Sequence, residues 1–200
     1  MAALPREFYE RPTLDILPEL IGKVLVHEAP DGVASGVIIE AEAYIGEDDP
    51  ACHAAPGPTA RNAPLYGPPG RAYVYLNYGM HYLVNAVTER AGSPAAVLIR
   101  ALEPVQGLDL MRRRREARRV GRSLTSPLQD ADLCRGPGNL TVALGIGPQC
   151  NNMDLTCGRL RVEDRGVAGP KVSYSKRIGI RVGTGRRWRC CWRGHRGVSG

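Results

Sequence analysis

The segment Val37-Ile-Ile-Glu-Ala-Glu-Ala-Tyr-Ile carries the densest chemical information in the chain. Read as a strand, its period-two alternation puts Ile38, Glu40, Glu42 and Tyr44 on one face. Val37, Ile39, Ala41, Ala43 and Ile45 occupy the other, a uniformly apolar set expected to pack inward. Two carboxylates and a phenol are then presented together. They could serve acid–base chemistry, or they could be a solvated outer face that keeps the protein soluble. Further on, Tyr73, Tyr75, Tyr78 and Tyr82 fall within ten residues. Tyrosines commonly stud strands for packing, so the spacing alone decides nothing. Tyr78 differs, because it sits in a turn between Asn77 and Gly79 where a ring cannot easily reach its own core. A ring there could wedge into a base stack, as aromatic and apolar wedges do in proteins that deform DNA.

Several elements must position these residues. Thr13 to Gly22 reads as one or two short helical turns. Lys23–Glu28 and Gly36–Ile45 read as strands around a turn at Pro30-Asp31-Gly32. From Gly46 to Gly70 the chain is rich in Pro, Gly, Ala and Asp without a clear period, and long irregular segments inside domains tend to be functional. Ala72–Leu76 and His81–Val87 make a hairpin around Asn77-Tyr78-Gly79. Ala95–Leu102 is a further strand stopped by Pro104, and Leu108–Val120 an arginine-rich helix whose charges predict a solvated face, with direct DNA contact as the alternative. Glycines and Pro137 precede a helix through Leu140–Leu144, and Gly145 ends it. Arg159–Glu163 and Ile178–Val182 are candidate strands.

With 200 residues the chain fits one domain with a real core. No stretch approaches the roughly 20 apolar residues of a membrane span, and Met1-Ala-Ala-Leu-Pro-Arg offers no apolar signal segment. A soluble, cytoplasmic protein is expected. The six cysteines form no C-x-x-C pair and have no histidine at finger spacing, so buried reduced thiols are expected and a zinc site is not. The net charge of +7 is uneven: residues 1–50 sum to −8 and residues 151–200 to +9. A basic C-terminal half suits a polyanionic partner such as nucleic acid.

The order of motifs adds a resemblance. Glu42-Ala-Tyr-Ile-Gly-Glu-Asp-Asp-Pro-Ala-Cys-His, Thr59-Ala-Arg-Asn, Tyr73-Val-Tyr-Leu-Asn-Tyr-Gly-Met and Leu98-Ile-Arg-Ala-Leu-Glu-Pro follow one another. Leu133-Cys-Arg-Gly-Pro-Gly, Arg177-Ile-Gly-Ile and Trp188-Arg continue the series. From about Thr13 to the last residues the chain resembles the alkyladenine (3-methyladenine) DNA glycosylases, called alkylpurine or N-methylpurine glycosylases in animals. The resemblance implies a single α+β domain over residues 1–200, with flexible ends at 1–10 and about 195–200. Its sheet would be curved and mainly antiparallel, with surrounding helices and a protruding hairpin. It implies a monomer that acts on double-stranded DNA containing damaged purines, away from membranes.

Site residues follow from the same resemblance. Glu42 matches the base that activates water for cleavage of the N-glycosidic bond, and Arg100 the arginine that helps hold that water. Beside a guanidinium, Glu42 is expected to stay ionised at neutral pH. Glu40 has no assigned role and is read as a charge at the surface or one that stands behind the residues touching substrate. Tyr78 would fill the gap left by the flipped nucleotide. The base pocket would place Tyr44 on one side of the purine and His53 and Tyr75 on the other, where a cationic base over an aromatic face gains roughly 0.5–2 kcal/mol. The His53 amide and the Ala51 carbonyl would read the base edge, Asn85 would crowd the 2-amino group of guanine, and Ile180 would complete the pocket. Thr59, Arg61 and Asn62 would meet the DNA backbone, with plain turn chemistry as the alternative. No lysine falls in the matched site, so a Schiff base is not expected. That predicts a monofunctional enzyme that leaves an abasic site and uses neither metal nor cofactor. Substrates would be 3-methyladenine, 7-methylguanine, hypoxanthine and ethenoadenine.

The chain departs from the family pattern at His81, usually aromatic, and at Asn139, commonly lysine. It departs again at Cys190-Cys191, which read as strand packing. Two other readings of the same residues are a non-catalytic nucleic-acid-binding module with a tyrosine stacking platform, and a nucleosidase acting on small molecules.

Overall fold

The computed structural model describes residues 2–118 and 128–200. Among them nine strands form one curled sheet whose ladders are all antiparallel. They are β1 (Ala2–Ala3), β2 (Val24–Ala29), β3 (Gly32–Ile45), β4 (Ala72–Asn77), β5 (His81–Val87), β6 (Ala95–Gln106), β7 (Leu160–Asp164), β8 (Val172–Ser175) and β9 (Arg189–Trp192). Across the sheet the order is β1-β7-β2-β3-β6-β5-β4, with β9 on β3 and β8 on β9. The helices are α1 (Arg6–Tyr9), α2 (Thr13–Leu20), α3 (Leu108–Ala117), α4 (Asp130–Leu133) and α5 (Pro137–Leu144). The α+β architecture expected from the sequence is what the chain adopts.

Strand β3 is the axis. Its first part ladders on β2, and where β2 stops, β9 takes over the same edge through Glu40↔Cys191 and Glu42↔Arg189. The other edge is held by β6. Every residue from Ala34 to Ala43 is buried, so neither side of this stretch is a solvated face. The simple alternation expected for Val37–Ile45 also fails, and two bulges explain why. Ile38 pairs with Leu102 and Glu40 with Ala101, which leaves Ile39 unmatched; Ala41 then pairs with Ile99, which skips Arg100. An extra residue resets which face the following side chains take. Ile38 therefore joins Ala41 and Ala43 in the main core, not Glu40, while Val37 packs on the other side with Val24 and Val26.

Other boundaries moved for local reasons. β6 runs through Pro104 to Gln106, because Gly36↔Pro104 and Ser35↔Gln106 leave Val105 as a bulge, a place where a missing N–H is tolerated. Ile178–Val182 is irregular instead of a strand; Gly179 within it and Gly183 just after it have φ of 74° and 62°. The arginine-rich helix ends at Ala117 with Arg118 as its C-cap, and residues 119–120 of that expected helix lie outside the described residues. Arg112, Arg114 and Arg115 act as staples, while Arg113 keeps to the expected exposed face. Arg112 reaches the Leu128 carbonyl and Asp130, Arg114 reaches Asp31 and the Ala143 carbonyl, and Arg115 holds the carbonyls of Asp132 and Leu133.

The main core lies between the sheet and the helices, with Ile16, Leu17 and Leu20 of α2 and Leu140 and Leu144 of α5 against Ile38, Ile99 and Leu102. A smaller cluster of Cys52, Ala54, Leu65, Tyr73, Val87 and Ala96 supports the long loop. Five cysteines are buried and Cys157 is exposed, all as free thiols. The terminal stretches expected to be flexible make specific contacts: Tyr9 is wholly buried, and Ser199 donates to Glu40.

Candidate active site

Glu42 sits where β3 is clamped between Leu98 of β6 and Arg189 of β9. Its carboxylate has no solvent exposure and is met by three donors. Oε1 accepts from the Ile178 amide at 2.9 Å; Oε2 accepts from the Tyr44 hydroxyl at 2.8 Å and from Arg100 Nη1 at 3.2 Å. Glu40 is equally buried, which removes the surface reading. It accepts from Arg100 Nε at 2.8 Å, Arg189 Nε at 2.8 Å, and the Ser199 amide and hydroxyl at 2.7 and 3.0 Å. Arg100 thus lies across both acids, which its skipped position in the β6 ladder allows.

Burial pushes both carboxyls toward higher pKa, and their partners decide the outcome. For Glu40, Arg100, the Ser199 amide, Arg189 and the Ser199 hydroxyl outweigh desolvation and hold its carboxyl below the ordinary range. For Glu42, desolvation outweighs Arg100, the Ile178 amide and Tyr44, and the carboxyl lies above that range. Pairing with a guanidinium is therefore not what sets Glu42.

Over this pair opens a cavity of about 410 Å³. Tyr44, Ala51, His53, Tyr75, Tyr78, Asn85, Arg100 and Ile180 all line it, whereas Glu42 lies beneath the surface. On one side His53 and Tyr75 are in ring contact, 4.3 Å between centroids, with Tyr73 at 5.2 Å from Tyr75. His53 Nδ1 is 2.9 Å from the Tyr73 hydroxyl, and burial, aided by the Arg61 charge, keeps the imidazole's pKa low. Asn85 is fixed by its amide donating to the Tyr73 carbonyl at 2.9 Å. At the mouth, Tyr78 is 73% exposed on the hairpin tip. Tyr78 and Gly79 both have positive φ, 48° and 69°, and the Met80 amide closes the turn on the Asn77 carbonyl at 3.0 Å.

The sequence model of the methylpurine-DNA glycosylase (MPG) family matches residues 7–196. The chain belongs to this family. It is 46% identical over its whole length to a protein of Burkholderia lata, covering 92% of that relative. It is 45% identical to one of Chlorobium phaeobacteroides over 94% of this chain and 91% of the relative. With one of Rubrobacter xylanophilus the figures are 49%, 86% and 84%. All three are provisionally named 3-methyladenine DNA glycosylase.

Within this methylpurine-DNA glycosylase fold, the three residues expected at the DNA backbone divide: Asn62 is turned inward, whereas Thr59 and Arg61 are exposed. Asn62 is buried, and its side chain is consumed by the loop: it donates to the carbonyls of His53 and Gly57 at 2.8 and 2.9 Å and accepts from the Thr59 amide at 2.6 Å. No side-chain atom is left for a phosphate, so turn chemistry describes it. Thr59 caps the same turn through its hydroxyl, 3.2 Å from the Asn62 amide, yet remains exposed. Arg61 is exposed, ties the loop to the hairpin through the Leu76 carbonyl at 3.0 Å, and lies 5.9 Å from the Tyr75 ring.

The sequence reading assigned nothing to the buried pair Asp49–Arg177. Arg177 meets Asp49 with two nitrogens at 2.5 and 2.8 Å and donates to the Ala43 carbonyl at 3.0 Å. Its guanidinium lies 4.6 Å from the Tyr44 ring centroid and 5.3 Å from that of Trp188. This ties together the end of β3, the acidic loop and the 177–183 segment, and it sets one wall of the cavity. Opposite charges inside two motifs both assigned to the pocket were the available signal. Of the departures, His81 packs on Gly138, where a Cβ would fall 2.8 Å from its ring, so a glycine is needed there. Asn139 bonds the Arg135 carbonyl at 2.7 Å, and Cys190 enters the main core while Cys191 ladders against Glu40.

Proposed function

We propose that this family member flips a damaged purine out of duplex DNA into the Tyr44–His53–Tyr75 cavity and hydrolyses its N-glycosidic bond. The observation that carries the reading is a desolvated carboxylate, Glu42, paired with Arg100 directly beneath an aromatic-walled cavity. Its volume falls within the range of roughly 300–1,000 Å³ of small-molecule pockets. In this reading Glu42 takes a proton from water as the water oxygen bonds to C1′ of the deoxyribose. The C1′–N bond breaks, its electron pair leaves with the base, and an abasic site remains. The negative charge of Glu42 opposes the positive charge that develops on the sugar. The raised proton affinity of Glu42 suits a base, and the Tyr44 hydroxyl must yield Oε2 to the water.

Tyr78 supports the flipping step. A tyrosine held at positive φ on an exposed tip is strained by about 1–3 kcal/mol, and such strain is retained where it serves a ligand. Facing aromatic walls favour cationic bases such as 3-methyladenine, the base in the relatives' names, and 7-methylguanine. Neutral hypoxanthine and ethenoadenine would rely on the Ala51–His53 backbone. The test is a duplex carrying one such lesion, incubated with the protein and then treated with alkali. Strand breaks at the lesion, abolished by Glu42→Gln with lesion binding retained, are expected. No breaks with any of the four lesions would sink the reading.

A further inference from the structure

Glu40 is the buried acid that the proposed chemistry leaves unused. Four donors fix it, from β6, from β9 and from Ser199. An arginine placed next to a lone buried carboxylate prefers a bidentate fork on both its oxygens. Arg100 does not adopt that fork on Glu42. Its Nε is anchored on Glu40, its Nη2 lies 3.4 Å from the Ser199 hydroxyl, and only Nη1 reaches Glu42. Arg189 cannot replace this anchor, because it is itself bound to Glu40, the Ser175 hydroxyl and the Ser199 carbonyl.

We propose that Glu40, locked by Arg189 and Ser199, is a positioning residue that aims Arg100 so that it touches Glu42 through one nitrogen and leaves the carboxylate basic. This rests on Glu42 being the base. Its second effect is direct, since the Glu40 charge favours protonation of Glu42. The other groups facing Glu42 are Tyr44 on β3, Arg100 on β6, Arg189 and Cys191 on β9, Tyr75 on β4 and Arg177.

The test is single-turnover cleavage, from about pH 5 to 9, of a duplex carrying whichever of the four lesions the wild type releases, with lesion binding measured in parallel. Glu40→Gln frees Arg100 to fork onto Glu42. The acid limb of the rate profile should move to lower pH, and the plateau should fall roughly tenfold or more as base strength and alignment are lost. Binding should stay unchanged. Glu40→Asp keeps the charge but withdraws the carboxylate from Arg100 Nε, and it should move the acid limb the same way by less, which keeps the idea testable if Glu40→Gln does not fold. A purely structural role would lower protein yield or melting temperature without moving the limb. Cleavage that survives Glu42→Gln would defeat the underlying reading. Cleavage lost in Glu42→Gln but with an unmoved acid limb in both other variants would overturn the positioning role alone.

Discussion

The floor and the rim of the cavity are built on opposite rules. On the floor, Glu40, Glu42, Asp49, Arg100, Arg177 and Arg189 are buried or nearly so, and each carries a partner of opposite charge. At the rim, Leu76, Tyr78, Met80 and Val182 expose apolar surface, with Arg181 exposed beside them. A buried ion network fixes geometry because moving any member strands a charge in low dielectric. An exposed aromatic tip gives the folded chain nothing and gains only when a ligand covers it. The floor is thus committed in the free protein, whereas the rim awaits its partner.

That contrast can be broken by substitution. The largest effect is expected on the floor, from Asp49→Asn, which leaves Arg177 buried without its counter-charge. Folding stability should fall by about 3–5 kcal/mol in denaturant unfolding. A loss below about 1 kcal/mol would place the pair among weak surface bridges and remove its claim to hold the wall. At the rim the reverse pattern is expected. Tyr78→Ser should leave stability within about 0.5 kcal/mol. It should weaken binding of a lesion duplex by about 1–3 kcal/mol, since the ring's stacking is lost. Lower stability with unchanged affinity would make the tip a packing feature.

The contrast also marks what could be read in the sequence. Tyr78 was legible because a turn between Asn77 and Gly79 leaves a ring nowhere local to go, and the tip is formed by those neighbours alone. The floor was legible only in part. Alternation grouped Ile38 with the two acids and could not anticipate bulges at Ile39 and Arg100, which depend on the register of a strand sixty residues away. Burial of Glu40 was hidden for the same reason, because its donors Arg189 and Ser199 come from the far end of the chain. For Asn62 the sequence left phosphate contact and turn chemistry open, because a polar residue in a Pro-rich loop looks identical whether it meets phosphate or its own backbone. Arg177 and Asp49 stood inside quoted motifs, but pairing across 128 residues leaves no local pattern.

The smallest effect tests the floor from within, where Glu40 and Glu42 share one strand and one arginine. Glu40 has a lowered carboxyl pKa in the fold, so its contribution is present above the unfolded value of about 4.3 and is lost as pH falls through its folded value. Glu42 has a raised one, so its contribution is full below about 4.3 and is lost as pH rises through its folded value. Wild type should therefore lose its advantage over Glu40→Gln on acidification, and should lose ground to Glu42→Gln as pH rises toward neutrality. Constant offsets do not disturb this comparison. In Glu42→Gln the new oxygen can keep the Ile178 amide and the new amide can donate to Tyr44, so only Arg100 Nη1 is left opposed. Denaturant midpoints of the three proteins across a pH series read the two slopes directly. Slopes of the same sign would mean that Arg100 serves both acids alike, and that the base is held by its pairing and not by its burial.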